Sequence, residues 1–200
     1  MLYLSKACRR CVWQKYLLFC LALMVCHPLL ADALLQKLQE PNTHLLFRHA
    51  LAPGTGDPAG FDVNDCATQR NLSQAGRAQA ASIGDYLKRN QVTVDAIMSS
   101  QWCRCLDTAS LISLQLYNSD KTQALTELNS VWTETQAIAE ARSSALINYL
   151  DKLPEDKTLL MVTHYINILN LTGETTGSGE GIVIQVKNNN VEVLGQLSIP

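Results

Sequence analysis

Short apolar segments alternate with amphipathic helical segments along this chain, and that alternation restricts the folds open to it. Four segments have strand character: Thr43–His49, Val94–Ser99, Thr122–Leu128 and Thr158–Thr163. The spacing of apolar residues predicts helices over Ala33–Glu40, Gln74–Asn90, Gln101–Tyr117, Glu134–Leu153 and Tyr165–Leu171. Strands that are apolar throughout and separated by helices predict a parallel sheet covered on both faces.

The C-terminal segments follow a different pattern. Gly181–Lys187 and Val191–Leu197 alternate between apolar and polar residues on either side of Asn188–Asn190, which predicts a hairpin. We therefore predict an α/β fold: a three-layer α/β/α sandwich with a mostly parallel central sheet and a C-terminal antiparallel hairpin. The segment Ala50–Gln69 is rich in Gly and Pro and predicts a long loop. Loops of that length in compact domains are often functional.

The N-terminal segment is typical of a secretory signal peptide. Four Lys and Arg precede an apolar run over Tyr16–Cys26, Pro28 follows the run, and Ala31–Ala33 offers small residues for cleavage. We predict a signal peptide at 1–33, one domain at 34–200 and a periplasmic or secreted location. The alternative is an uncleaved leader, through which the chain would contact the membrane. Against this alternative, the apolar run is shorter than the roughly 20 residues that a span needs.

The charge of the predicted domain argues against a nucleic-acid partner. Beyond residue 32 the chain has twelve Lys and Arg against seventeen Asp and Glu, a net charge of −5. Affinity for a phosphate backbone comes from clustered Lys and Arg, and this domain has no basic run. Any affinity for phosphate must therefore come from a few well-placed cations.

Polar side chains follow three of the predicted strands. Arg48 and His49 end the strand Thr43–His49. Ser99 ends Val94–Ser99, Ser100 follows it, and Arg104 lies one helical turn further on. His164 follows Thr158–Thr163. Because parallel strands bring their carboxyl ends to one edge of a sheet, we expect these side chains to meet there. A neutral imidazole is a competent nucleophile, and arginine matches phosphate oxygens with a planar, permanently charged fork. The combination suits phosphoryl transfer.

Three cysteines lie beyond the leader: Cys66, Cys103 and Cys105. In an oxidising compartment Cys66 could pair with either of the other two and leave one thiol over. Three buried thiols are the alternative, since unpaired Cys packs as a small hydrophobe. The Cys and His spacing does not match a structural zinc site, so no metal cofactor is expected.

Four sequence motifs together resemble a known family. L-L-F-R-H-A, N-L-S-Q-A-G-R-A-Q-A, S-S-Q-W-C-R-C-L-D-T-A and M-V-T-H-Y-I-N-I, in this order over about Thr43 to Leu171, are similar to the histidine phosphatase (phosphoglycerate-mutase-like) superfamily. Ala50 stands where the family's Arg-His-Gly motif has Gly. The resemblance implies that His49 accepts the phosphoryl group, that Arg48, Arg104 and His164 form the phosphate pocket, and that no metal takes part.

The resemblance also implies a proton donor for the leaving group, and its position is less well defined. Glu127 is the first candidate, because family members often use a Glu after the third strand. Glu134 is the second, and Asp57 or Asp65 in the first loop the third.

The function implied is a metal-independent phosphatase, a phosphoric monoester hydrolase that forms a phosphohistidine intermediate on a small or envelope-linked phosphorylated substrate. Two alternatives are a protein-phosphohistidine phosphatase and a non-catalytic phosphate-binding module.

Overall fold

The computed structural model describes residues 33–199. Its strands are β1 (Thr43–Arg48), β2 (Ala96–Ser99), β3 (Thr122–Ala124), β4 (Leu159–Thr163), β5 (Gly181–Lys187) and β6 (Asn190–Leu197). They form one sheet in the order β3-β2-β4-β1-β5-β6. The four strands from β3 to β1 are parallel, and β5 and β6 add an antiparallel pair at the β1 edge. The predicted mostly parallel sheet with a C-terminal hairpin is confirmed.

Helices cover the sheet as α1 (Gln74–Arg89), α2 (Cys103–Tyr117), α3 (Gln136–Asp151) and α4 (Tyr165–Thr172). Residues 33–36 are also helical and continue into a 3-10 helix at Lys37–Gln39. The hydroxyl of Ser73 accepts a hydrogen bond from the Gly76 N–H at 3.0 Å, so Ser73 caps α1 as its position before the helical pattern predicts.

The core lies between these layers. On one face of the sheet, Leu46, Met98 and Met161 form a buried cluster with Leu146 and Leu150 of α3. Successive strand residues point to opposite faces, so Leu45 and Phe47 face the other layer. There α1 and α2 pack so closely that a Cβ added at Gly84 would lie 2.6 Å from the Cβ of Gln115. The result is the predicted three-layer sandwich.

One predicted strand is wrong in its second half. The segment predicted as a strand over Thr122–Leu128 pairs only through Thr122–Ala124, and Thr126–Leu128 forms a 3-10 helix. This turn places Leu128 in the core, where it is 1% exposed. Its carbonyl accepts a 2.6 Å hydrogen bond from the Thr163 hydroxyl. Burial of Leu128 and this hydrogen bond replace further strand pairing.

The loop that follows β1 is tied to α2 by a disulfide. Cys66 and Cys103 form the bond, with a Cα–Cα distance of 5.7 Å, while Cys105 is buried with a free thiol. Burial raises the pKa of Cys105 to about 12, so its thiol is unreactive. Of the two pairings that the sequence left open, the structure has Cys66–Cys103.

The predicted signal peptide covers residues 1–33. All of it except Ala33 lies outside the described residues. Within residues 33–199, no helix has the length and apolar character needed to cross a membrane.

Candidate active site

A cavity of about 810 Å³ opens at the carboxyl ends of the parallel strands. The strand register aligns Arg48 with Thr163 and Ser99 with Val162, so the residues that follow β1, β2 and β4 emerge at the same edge. The basic and histidine side chains in its lining are Arg48, His49, Arg70, Arg104 and His164. All four predicted pocket residues are therefore brought together.

His49 is held with a defined proton position. Its Nδ1 lies 2.8 Å from the carbonyl oxygen of Ala50. A carbonyl only accepts, so Nδ1 carries the hydrogen and Nε2 keeps its lone pair. Burial lowers the pKa of His49 to about 3; the bond to Ala50 opposes this effect, and the charges of Arg104 and Arg48 add to it. His49 is thus a neutral imidazole, 3% exposed, with Nε2 as the nucleophilic atom.

The backbone around His49 is fixed on both sides. The His49 N–H donates to the Thr163 carbonyl at 2.9 Å, extending the pairing of β1 with β4. The Ala50 N–H donates to the Thr108 hydroxyl of α2 at 3.0 Å. Ala50 is not among the residues with positive φ in the described chain, so its backbone does not require the Gly that the family motif has there.

His164 lies beside His49, with the ring centroids 5.6 Å apart. The guanidinium of Arg104 faces its Nδ1 at 3.4 Å, and the Ser100 hydroxyl lies 2.9 Å from its Nε2. Since Arg104 only donates, Nδ1 accepts and Nε2–H donates to Ser100, whose hydroxyl donates to Asn129 at 3.3 Å. Burial, with the charge of Arg104, lowers the pKa of His164 well below its usual value. The ring is therefore neutral in this structure.

Arg104 is the most buried cation of the site, with 3% of its side chain exposed. Its two terminal nitrogens donate to the two carboxylate oxygens of Asp57, at 2.6 and 3.2 Å. The indole N–H of Trp102 donates to the same carboxylate at 3.0 Å. Burial alone would raise the pKa of Asp57, but the hydrogen bonds from Arg104 and Trp102 outweigh it, and the net shift is downward.

Arg70 is a cavity residue that the sequence reasoning missed. Its Nε donates to the Gly56 carbonyl at 2.7 Å, and Nη1 donates to the Ala52 carbonyl. It thereby folds the loop after β1 against the cavity. The one sequence feature that could have indicated Arg70 is its position immediately before the N-L-S segment that leads into α1. Its side chain reaches the cavity only because the loop is folded.

The cations of the site have spare hydrogen-bonding capacity. The Nε atoms of Arg48 and Arg104 are buried and have no hydrogen-bond partner among residues 33–199. With both histidines neutral, Arg48, Arg70 and Arg104 face the carboxylates of Asp57 and Glu134 across one cavity. The lining therefore has a net positive charge in an acidic domain. Such a cavity attracts an anion with several acceptor oxygens.

The candidate proton donors are not equally placed. Asp57 and Glu134 line the cavity, whereas Glu127 is not among its lining residues and accepts a hydrogen bond from the neighbouring Thr126 hydroxyl. The reason is the 3-10 turn at Thr126–Leu128, which replaces the predicted strand end. Asp65 caps a 3-10 helix at Cys66–Thr68 by accepting from the Ala67 N–H. The structure thus brings neither Glu127 nor Asp65 to the cavity.

Comparison with protein families adds direct evidence on relationship. The model of the histidine phosphatase superfamily (branch 1) matches residues 45–136, which include Arg48, His49, Arg70 and Arg104. This part of the chain is similar to the histidine phosphatase superfamily. His164 lies beyond the matched segment, and the fold brings it to the superfamily motif at the end of β1. A search of curated protein sequences returned no match.

Solved structures of several phosphatases have the same fold. The protein histidine phosphatase SixA complexed with tungstate is 19% identical, with a TM-score of 0.56 over 78% of this chain and 96% of that one. Phosphoserine phosphatase of Entamoeba histolytica with 3-phosphoglyceric acid is 16% identical, with a TM-score of 0.59 over 78% and 96%. Mycobacterial glucosyl-3-phosphoglycerate phosphatase is 15% identical, with a TM-score of 0.56 over 76% and 96%. At these identities the neighbours show a shared fold.

His44 lies outside this site although it is only five residues from His49. It is buried in β1, and its Nδ1 accepts from the Leu159 N–H at 3.2 Å. Burial lowers the pKa of His44 to about 4, so the ring is neutral and structural. Among residues 33–199, no group of three or more His, Cys, Asp and Glu side chains is arranged to hold a metal ion.

Proposed function

We propose that this protein is a metal-independent phosphatase that hydrolyses a phosphomonoester through a phosphohistidine at His49. The observation that carries the proposal is the His49 Nδ1–H bond to the Ala50 carbonyl, since it leaves Nε2 unprotonated in a cavity that three arginines line. A nucleophile that is neutral at working pH needs no base to activate it.

Two arginines and a second histidine would bind the phosphate. Arg48, Arg104 and His164 would bind the phosphoryl oxygens, and the unpartnered Nε atoms of both arginines supply donors for them. In a water-poor site such fixed charges stabilise the charge that spreads over the equatorial oxygens during transfer. His164 would donate a hydrogen bond to phosphate from Nδ1, which accepts from Arg104 in this structure and would take up a proton beside the phosphate dianion.

The cavity favours a small-molecule ester over phosphate presented on a protein surface. Its volume of about 810 Å³ lies within the range of about 300–1,000 Å³ typical of pockets that enclose a small ligand. Beyond the arginines its wall is aromatic, with Phe61 stacked on Trp102 at 5.0 Å and Trp132 59% exposed. A small or envelope-linked organic phosphate would place its alcohol part against this wall.

We further propose that the enzyme acts outside the cytoplasm, in the periplasm or after secretion. The Cys66–Cys103 disulfide supports this location, because such bonds persist in oxidising compartments. The leader-like composition of residues 1–33 supports it independently.

The purified protein would be screened without added metal against a panel of phosphomonoesters, an aryl phosphate and a phosphohistidine peptide. The proposal predicts turnover of phosphomonoesters, and loss of that turnover to background in His49→Ala. Arg77→Ala is the matched control, since Arg77 lies outside the cavity lining in an exposed pair with Asp107. Turnover of the phosphohistidine peptide alone would instead identify a protein-phosphohistidine phosphatase. Tight phosphate binding without any turnover would identify a binding module.

A further inference from the structure

Resting on the proposed function, we infer that Asp57 is the catalytic acid, and that it becomes one because the substrate phosphate displaces its carboxylate from Arg104. The inference rests on the contact between Asp57 and the two terminal nitrogens of the Arg104 guanidinium. Both terminal nitrogens of Arg104 point at the two Asp57 oxygens, which is the arrangement that two phosphoryl oxygens would adopt. In this structure Asp57 therefore holds the place of the anion.

Because of where Arg104 lies, the substrate phosphate and the Asp57 carboxylate must compete for it. Arg104 also lies 3.4 Å from the Nδ1 of His164, whose ring is 5.6 Å from that of His49. The phosphoryl group must lie within reach of the His49 Nε2 and bind the buried Arg104. It must therefore share, or displace Asp57 from, the terminal nitrogens of Arg104. Asp57 lies on a loop with 17% of its side chain exposed, so it can yield, whereas Arg104 is enclosed.

Displacement changes what Asp57 can do. While it is paired, the charged form is favoured by Arg104 and Trp102. Once phosphate takes the fork, the carboxylate faces a nearby dianion and loses its cation, and both changes favour protonation. The charged or titratable groups that surround it in the cavity come from every element of the lining. They are Arg48 at the end of β1, Arg104 from α2, Tyr165 from α4, Arg70 and Glu134 from loops, His49 and His164 after their strands, and the buried Cys105 thiol.

The chemical steps then balance. The His49 Nε2 lone pair forms a bond to phosphorus, the P–O ester bond breaks, and the leaving oxygen takes the proton of the Asp57 carboxyl. Water next attacks phosphorus and gives its proton to the Asp57 carboxylate while the P–N bond breaks and its electron pair returns to Nε2. Inorganic phosphate leaves, and Asp57 releases its proton and returns to Arg104. One residue thus serves as acid and then base.

Glu134 is the competing carboxylate of the cavity. It is exposed, and no hydrogen bond or ion pair to its carboxylate appears within residues 33–199. It has no hydrogen bond or ion pair with Arg48, Arg70 or Arg104 in this structure, so substrate phosphate would not displace it from a cation. Glu134→Gln therefore tests the competing carboxylate, and Glu127→Gln, outside the cavity lining, is the matched control for Asp57→Asn.

The test compares substrates with good and poor leaving groups. Asp57→Asn should lower kcat for an alkyl phosphate by at least about 100-fold and for 4-nitrophenyl phosphate by only about threefold, because a good leaving group does not need the proton. Across a series of aryl phosphates, log kcat should depend more steeply on leaving-group pKa in Asp57→Asn than in wild type. Glu134→Gln and Glu127→Gln should leave the slope unchanged.

A second readout separates catalysis from structure. Inorganic phosphate should inhibit Asp57→Asn with an inhibition constant no higher than that of wild type, since the competing charge is gone. Equal losses on both substrates together with weaker phosphate binding would mean that Asp57 only holds Arg104, and would overturn the inference. A steeper slope in Glu134→Gln alone would also overturn it. Activity that survives in His49→Ala would instead contradict the proposed function itself.

Discussion

The Nδ1 of His49 lies 2.8 Å from the carbonyl oxygen of Ala50, the residue that follows it in the chain. This bond fixes the tautomer, because the carbonyl has no proton to give. It is held in turn by the Ala50 N–H bond to Thr108 and the His49 N–H bond to Thr163. The nucleophile is thus oriented by backbone groups, and within residues 33–199 no side-chain carboxylate forms a hydrogen bond with its ring.

The low pKa of His49 predicts activity that persists in acid. Because burial lowers this pKa to about 3, the ring stays neutral as pH falls from 7 to 5. We expect kcat/KM for 4-nitrophenyl phosphate, corrected for substrate ionisation, to change less than about threefold over that interval. A histidine with the usual pKa of about 6.5 would be only a few per cent neutral at pH 5, which would give a decrease of about 25-fold from pH 7. Such a decrease would contradict this description of the ring.

The paired donors of the Arg104 guanidinium predict that even a substitution that keeps the charge lowers kcat/KM strongly. Arg104→Lys keeps the charge but loses the paired donors, each worth about 1.5–3 kcal/mol toward a charged acceptor. We expect kcat/KM to fall by about 10- to 100-fold. Arg77→Lys, in an exposed pair with Asp107, should change it less than about twofold. Similar losses in the two variants would argue that Arg104 does not bind phosphate.

Buried His44 predicts a loss of stability in acid. Its pKa is about 4 in the folded chain and about 6.5 in the unfolded chain. The unfolded chain therefore binds more protons between these values, and the stabilisation present above pH 6.5 is lost as pH falls toward 4. The expected contribution at pH 5 is a loss of about 2 kcal/mol.

Denaturant unfolding of His44→Asn at pH 7 and pH 5 would check this effect. Asn keeps an acceptor for the Leu159 N–H but does not titrate. The free energy of unfolding should fall less with pH in the variant than in wild type. Parallel pH dependences in the two proteins would show that His44 does not titrate as described.

The disulfide predicts sensitivity to reductant. Cys66 and Cys103 are separated by 37 residues, and closing a loop of that length stabilises the fold by about 4 kcal/mol in the chain-entropy description. For a domain of this size, reduction should lower Tm by roughly 10 °C. The Cys66→Ala, Cys103→Ala double variant should melt at the reduced value with or without reductant. An unchanged Tm on reduction of wild type would contradict the prediction.

The sheet and the strand-end residues could be predicted because their signals are local. Thr158–Thr163 is a continuous apolar run, and His164 follows it directly, so the parallel topology alone brings His164 to the edge where His49 lies. The same topology predicts Arg48 and Arg104 at that edge. Ser73 marked the start of α1 in the same direct way.

The contacts of Asp57 and Arg70 depend on a loop without periodicity. Gly56 lies in the left-handed region with φ of 65°, and its carbonyl accepts from the Arg70 side chain. No pattern in the loop sequence specifies that closure, or its attachment through Cys66. Glu127 lies outside the cavity lining for a related reason: its segment has the composition of a strand, but tertiary packing of Leu128 turns it into a 3-10 helix.

Trapping the covalent intermediate tests the central claim most directly. Wild-type protein would be mixed with 4-nitrophenyl phosphate, quenched rapidly in alkali, where phosphohistidine survives, and digested for mass spectrometry. We predict one phosphoryl group on Nε2 of His49, absent from His49→Ala and present in Arg77→Ala. A phosphoryl group on another residue, or sustained turnover in His49→Ala, would contradict the account.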